Sequence, residues 1–191
     1  METSLARASL YNFLAAAFGD PPTPQMMEAW VKTVPGLRPA PLDEMSQAYT
    51  RLLVGPGADY APPYASLYLN PSSNGKPQLW GAAAAAVEAL YGEAGVEIAP
   101  GQPRVPDHLA LELQFMQHLC AREADAEVRG DSAQAVEWRE RQRAFLRDHL
   151  WPWLPQFVAR LSNTQDEARA VYRALAAFML AFVQSEVADH G

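Results

Sequence analysis

His108 and Glu112 are the residues of this chain best spaced for chemistry. Four positions apart in Val105-Pro106-Asp107-His108-Leu109-Ala110-Leu111-Glu112-Leu113-Gln114-Phe115-Met116-Gln117-His118-Leu119-Cys120, they become neighbours on one face if the segment is a helix. An imidazole beside a carboxylate can ligate a metal, relay a proton or close a polar pair inside a core. At roughly 100° per residue, both fall within the wide arc of Leu109, Leu111, Leu113, Phe115, Met116, Leu119 and Cys120, with Ala110, Gln114, Gln117 and His118 opposite. Pro106 reads as a first-turn residue, where its missing N–H is not needed. A His and a carboxylate buried together must both be satisfied or stability is lost.

The rest of the sequence narrows what such a pair can do. Metal binding lacks further ligands: His118 projects to the opposite face, His149 belongs to another helix, and neither HExxH nor paired ExxH motifs occur. No GxSxG elbow accompanies the histidines, and Ser66 lies in a Pro-Tyr-rich loop. Gly55-Pro56-Gly57 lacks the phosphate-loop frame, and its proline removes an N–H that a phosphate cradle would use. The single cysteine, Cys120, excludes an internal disulfide and reads as a small core residue.

The elements that position the pair are helical. A first helix is predicted from Thr3 to Phe18, a second from Thr23-Pro24 to Pro35-Gly36, and a third from Leu42 to Val54, stopped by Gly55-Pro56-Gly57. Between Gly55 and Lys76 a Pro- and Gly-rich stretch carries Tyr60, Tyr64, Leu67, Tyr68 and Leu69, too many large apolar side chains for a solvated linker. It reads as a packed loop. A polyalanine helix from Pro77 to Ala94 follows, then a second loop to Arg104. The His108 helix ends near Gly130, and Asp131-Ser132 caps the next, which runs to Leu150. Trp151-Pro152-Trp153-Leu154-Pro155 interrupts it before a short helical piece, and Thr164-Gln165-Asp166-Glu167 has capping-box spacing for a last helix. No strand pattern or repeat emerges, so the fold class is an all-α, single-domain bundle of about seven helices over residues 1–191.

Composition agrees. Of 191 residues, 49% are hydrophobic and 19% charged, a globular balance, and the net charge of −7 disfavours nucleic acid as a partner. The clustered Arg139, Arg141, Arg143 and Arg147 alternate with Glu137, Glu140 and Asp148, as on a solvated helix face. The apolar windows Leu10–Phe18 and Leu175–Val183 are too short to cross a bilayer, and Met1-Glu2-Thr3-Ser4-Leu5-Ala6-Arg7 lacks the layout of a secretory signal, so a cytoplasmic location is expected.

Three stretches, in order, resemble signatures of the TorD/DmsD/NarJ family of redox-enzyme maturation chaperones. They are Tyr49-Thr50-Arg51-Leu52-Leu53-Val54-Gly55-Pro56 continuing through Pro62-Pro63-Tyr64-Ala65-Ser66-Leu67-Tyr68; Pro106-Asp107-His108-Leu109 with Glu112; and His149-Leu150-Trp151-Pro152-Trp153-Leu154-Pro155-Gln156-Phe157. The resemblance implies a non-enzymatic, all-helical chaperone without a cofactor of its own. Its partners would be the apo catalytic subunit of a molybdopterin oxidoreductase and the subunit's twin-arginine leader peptide, held until cofactor insertion precedes export. It carries peptide recognition onto Tyr64, Leu67, Tyr68, Pro106, Asp107, His108 and Glu112, with His149 and Trp153 completing or bracing a groove.

In that reading, Asp107 and Glu112 pair with guanidinium groups while aromatics take the apolar part of the leader. Burying about four apolar residues at roughly 1.5–3 kcal/mol each suffices for micromolar binding after ordering costs. Substitution of Asp107 or His108 is then expected to weaken peptide binding more than it lowers stability. A buried, satisfied polar pair is the competing reading of the same residues. The alternative functions are a small helical metalloenzyme using His108, Glu112 and a third ligand, and a helical regulatory module that grips a partner helix. Monomer and helix-exchanged dimer both stay open, and the client is unassigned.

Overall fold

The computed structural model describes residues 3–69, 78–98, 105–161 and 167–189, and within them the chain is helical. The helices are α1 (Ser4–Gly19), α2 (Pro24–Thr33), α3 (Leu42–Tyr49), α4 (Ser66–Leu69), α5 (Ala82–Glu93), α6 (Leu109–Val128), α7 (Ser132–Phe145), α8 (Leu154–Leu161) and α9 (Glu167–Asp189). The short α4 and α8 account for the excess over seven among the described residues.

Local chemistry sets most of the boundaries. Thr3 caps α1 by accepting from the Ala6 N–H at 3.2 Å, Thr23 caps α2 through the Met26 N–H at 3.2 Å with Pro24 in the first turn, and Asp131 caps α7 through the Gln134 N–H at 3.0 Å. Two expectations shift. α5 begins at Ala82, after Gly81 at φ 121°, rather than at Pro77, which lies outside the described residues. Of its alanine run only Ala84 is fully buried, so helix propensity rather than close helix approach accounts for the run. The capping box at Thr164–Glu167 also falls largely outside the described residues.

α3 and α7 both end in one wide π turn, Thr50–Val54 and Leu146–Leu150. Their closing bonds run from the Gly55 N–H to the Thr50 carbonyl and from the Trp151 N–H to the Leu146 carbonyl, 2.9 Å each. Pro56 and Pro152 follow directly and cannot continue a helix. The first turn lies within a signature stretch and the second runs into one at His149-Leu150, and hydropathy gives no sign of either.

α6 is the central element, packed along α1 on one side and α7 on the other, while α9 packs against α3, α8 and α1. Its first half is buried nearly all round: Leu109, Ala110, Leu111, Glu112 and Leu113 are all enclosed. Ala110, predicted on the outer face, is therefore a core residue. α9 is long and apolar enough, by length and composition, to cross a membrane. Its Val171, Tyr172, Leu175, Met179 and Val183 are buried core, and Glu186 is tied to α1.

That tie is part of a buried polar network the sequence did not announce. Arg7 donates to Glu186 Oε2 at 2.6 Å, to Gln142 Oε1 at 2.6 Å and to Glu123 Oε2 at 3.3 Å. Arg139 reaches Glu123 Oε1 from outside at 2.6 Å, and the Gln142 amide closes on Glu123 Oε2 at 2.8 Å. Four helices, α1, α6, α7 and α9, are thereby fixed in register around satisfied charges. Cys120 donates to Gln142 Oε1 at 3.4 Å, and burial pushes its thiol up to about 12, in keeping with an inert core thiol.

Candidate functional site

The three signature stretches meet at the start of α6. The Leu109 N–H donates to the Pro63 carbonyl at 2.8 Å and the Ala65 N–H to the Asp107 carbonyl at 3.0 Å, so Tyr64 and His108 pair as an isolated antiparallel bridge. Their rings meet edge to face at 5.0 Å. Asp107 Oδ2 accepts the Ser66 N–H at 2.6 Å, which satisfies a donor at the entry of α4. Two loops distant in sequence are stapled by backbone and side chain together.

His108 does not stack above Glu112 as a ligand pair. It is the N-cap of α6, and its Nδ1 accepts the Ala110 N–H at 3.1 Å. Pro106 consequently lies in the preceding turn, not in the first helical turn, and its carbonyl accepts the Tyr91 hydroxyl at 3.0 Å. The helix therefore opens at Leu109 rather than at Pro106, because the His108 imidazole, rather than the proline ring, meets a free N–H of the first turn.

Glu112 points instead to the third signature. Trp153, wholly buried, donates its indole N–H to Glu112 Oε2 at 3.1 Å. Tyr68 stacks on Trp153 at 5.5 Å, and Phe157 meets both rings edge-on. Burial pushes the Glu112 carboxyl well above the usual range; the Trp153 N–H opposes this and the Asp107 charge adds to it. The site therefore favours the neutral form of Glu112. Burial likewise raises the phenol of Tyr91, with Glu112 and Asp107 adding, so it stays a hydroxyl donor to Pro106.

Asp107 and Glu112 have no exposed surface and His108 only 6%. This corrects the expectation that the two carboxylates stand open to guanidinium groups. Among the expected site residues, Tyr64, Leu67 and Tyr68 are half-buried and reach the surface of the cluster, while Pro106, Asp107, His108, Glu112 and Trp153 form its interior. His149 is not brought into this cluster. Its ring stacks on Phe145 at 5.4 Å beside a separate cavity lined by Leu90, Glu93, Phe115 and Asp148.

Among the described residues no group of three or more His, Cys, Asp or Glu side chains is arranged to hold a metal ion. With His108 Nδ1 engaged as a cap and Glu112 engaged by Trp153, the metalloenzyme alternative finds no support. The residues that sequence reasoning missed are Tyr91, which anchors the Pro106 carbonyl, and Phe115, which packs on Tyr91 at 4.8 Å and on Phe145 at 4.9 Å. Their spacing within their own helices marks them only as core.

Comparison with known proteins bears on the same residues. The family model of the nitrate reductase delta subunit matches residues 19–159. A chaperone protein TorD of Vibrio cholerae is 34% identical over 144 residues, covering 75% of this chain and 60% of that protein, so the match spans less than two thirds of the relative. A selenate reductase assembly chaperone protein of Thauera selenatis is 48% identical over 67 residues, 35% of this chain and 33% of that protein. The crystal structure of an Archaeoglobus fulgidus protein assigned to redox enzyme maturation shares the fold at a TM-score of 0.54, with 18% identity over 91% of this chain and 93% of the other. A match over most of the sequence, including all three signatures that the fold draws together, makes this chain a member of the nitrate reductase delta subunit family, the NarJ/TorD family.

Proposed function

We propose that this chain is a single-domain cytoplasmic chaperone, without catalysis of its own, for the apo catalytic subunit of a molybdopterin oxidoreductase and its twin-arginine leader. It holds the client until the cofactor is inserted and so delays export. Relatives that are themselves a chaperone and a selenate reductase assembly chaperone support the reading. The structural observation that carries it is the stapling of the Tyr64–Tyr68 loop onto α6 by Asp107, His108 and Trp153. Such a scaffold holds a half-buried aromatic and aliphatic edge rigid, and a rigid apolar edge is what recognises a peptide at low ordering cost.

In this reading Tyr64, Leu67 and Tyr68 face the client, and the sealed Pro106, Asp107, His108, Glu112 and Trp153 position them. Affinity-tagged chain expressed in its native host and analysed by mass spectrometry is expected to retain a molybdopterin oxidoreductase catalytic subunit lacking its cofactor. Recovery of only cofactor-loaded subunit, or of no such oxidoreductase, overturns the proposal.

A further inference from the structure

Because the carboxylates of the Pro106–Glu112 turn are sealed, a cationic segment of a client must be met by other acids, and one surface has them. Two adjoining cavities of about 290 and 180 Å³ share Phe115 as a common wall. Leu90, Ala94, Ala144 and Phe145 line the first, and Tyr91, Val96, Ile98 and Leu111 the second. The trough is thus apolar at its base and runs along the α5–α6 junction.

Its rim is acidic. Glu93 and Asp148 border the first cavity and Glu97 the second. Arg147 clasps Asp148 with bonds of 2.7 and 2.5 Å, whereas no ion pair holds Glu93 or Glu97 among the described residues. Among the described residues, Arg141 is the one guanidinium that lines the trough, and it is committed elsewhere: it donates to Glu137 at 2.7 Å and lies 4.8 Å over the Trp138 ring. Uncompensated negative charge therefore borders an oily floor. The floor also connects to the stapled turn, since Tyr91 packs on Phe115 and bonds the Pro106 carbonyl.

We propose that this trough docks an extended peptide segment of the client in which basic side chains adjoin apolar ones, the basic groups meeting Glu93 and Glu97 and the apolar ones entering beside Phe115. The assignment rests on the chaperone reading and names the surface that reading leaves open.

The test is fluorescence polarisation of the full chain with a short labelled peptide in which two arginines precede a run of leucines. The E93K/E97K double variant is expected to weaken binding about tenfold or more, since opposed rim charges become like charges. A peptide with glutamates in place of the arginines is expected to bind that variant better than it binds wild type. Ala144→Phe, which fills the first cavity without changing charge, is expected to weaken binding too, and it decides the matter if the double variant does not fold. Wild-type binding that survives both changes within about twofold places the peptide elsewhere and overturns the trough while leaving the chaperone reading intact. Absence of any binding to wild type, together with absence of an oxidoreductase client in the mass spectrometry, overturns both.

Discussion

Trp153 and Glu112, 41 residues apart, are joined by an indole N–H to carboxylate bond of 3.1 Å with neither side chain exposed. The bond supplies Glu112 with one donor and leaves Oε1 without a hydrogen-bond partner among the described residues. A carboxyl so placed is easier to keep neutral than charged.

The consequence is a pH dependence of stability. Because burial raises the Glu112 carboxyl above its ordinary 4.5, the folded chain holds this proton more tightly than the unfolded chain does. The stability it contributes is complete below the ordinary value and is lost as pH rises through the folded one. Glu112→Gln cannot ionise yet keeps an oxygen for Trp153. Its melting temperature is expected to approach that of wild type near about pH 5 and to gain on it steadily towards about pH 8. Circular-dichroism melts across that range check this, and parallel curves for the two proteins refute it.

Asp107 governs the loop. Its Oδ2 takes the Ser66 N–H at 2.6 Å in a site with no solvent access, so Asp107→Ala strands a buried donor at a cost of about 1–3 kcal/mol. Burial thus turns the expected ranking round, and stability falls before any loss of binding can be read. Asp107→Asn retains an acceptor oxygen and is expected to lose less. Urea unfolding gives the magnitude, and faster amide exchange at Ser66 in the alanine variant identifies the bond responsible.

Gly55 closes the first signature for a steric reason. Its φ is +52°, and a Cβ there would lie 2.5 Å from Tyr60 Cγ. Gly55→Ala is expected to cost roughly 1–2 kcal/mol from the left-handed backbone alone, with more from the ring. Adding Tyr60→Ala is expected to restore only the steric part, so the two changes are non-additive in chemical denaturation. An unchanged unfolding midpoint for Gly55→Ala contradicts the account.

What was legible in the sequence and what was not divides by distance along the chain. Thr3, Thr23-Pro24 and Asp131 announce helix starts because a cap acts on N–H groups within one turn. The convergence of the signatures depends on Asp107 reaching Ser66 and Trp153 reaching Glu112, each across 41 residues, and no periodicity encodes such a partner. Periodicity put His108 and Glu112 on one helix face, but it could not say that His108 would stand outside the helix as its N-cap, accepting from the Ala110 N–H. Nor did it mark Arg7, inside the predicted first helix, as a core group.

Arg7 supplies the last expectation. It is 5% exposed and holds Glu186 at 2.6 Å, Gln142 at 2.6 Å and Glu123 at 3.3 Å. Arg7→Met leaves Glu186 without that guanidinium and Glu123 with Arg139 and the Gln142 amide, which is expected to cost roughly 3–5 kcal/mol, as for other buried pairs broken from one side. Tyr11 offers only a weak substitute, its hydroxyl lying 3.4 Å from Glu186. Replacing both partners removes the stranded charge, so Arg7→Met with Glu186→Leu is expected to be more stable than Arg7→Met alone. Urea midpoints of the wild type, the two single variants and the double variant form the cycle. Losses that simply add would mean the two charges do not interact, and the register of α1 against α9 would then rest on apolar packing such as Tyr11 against Phe182.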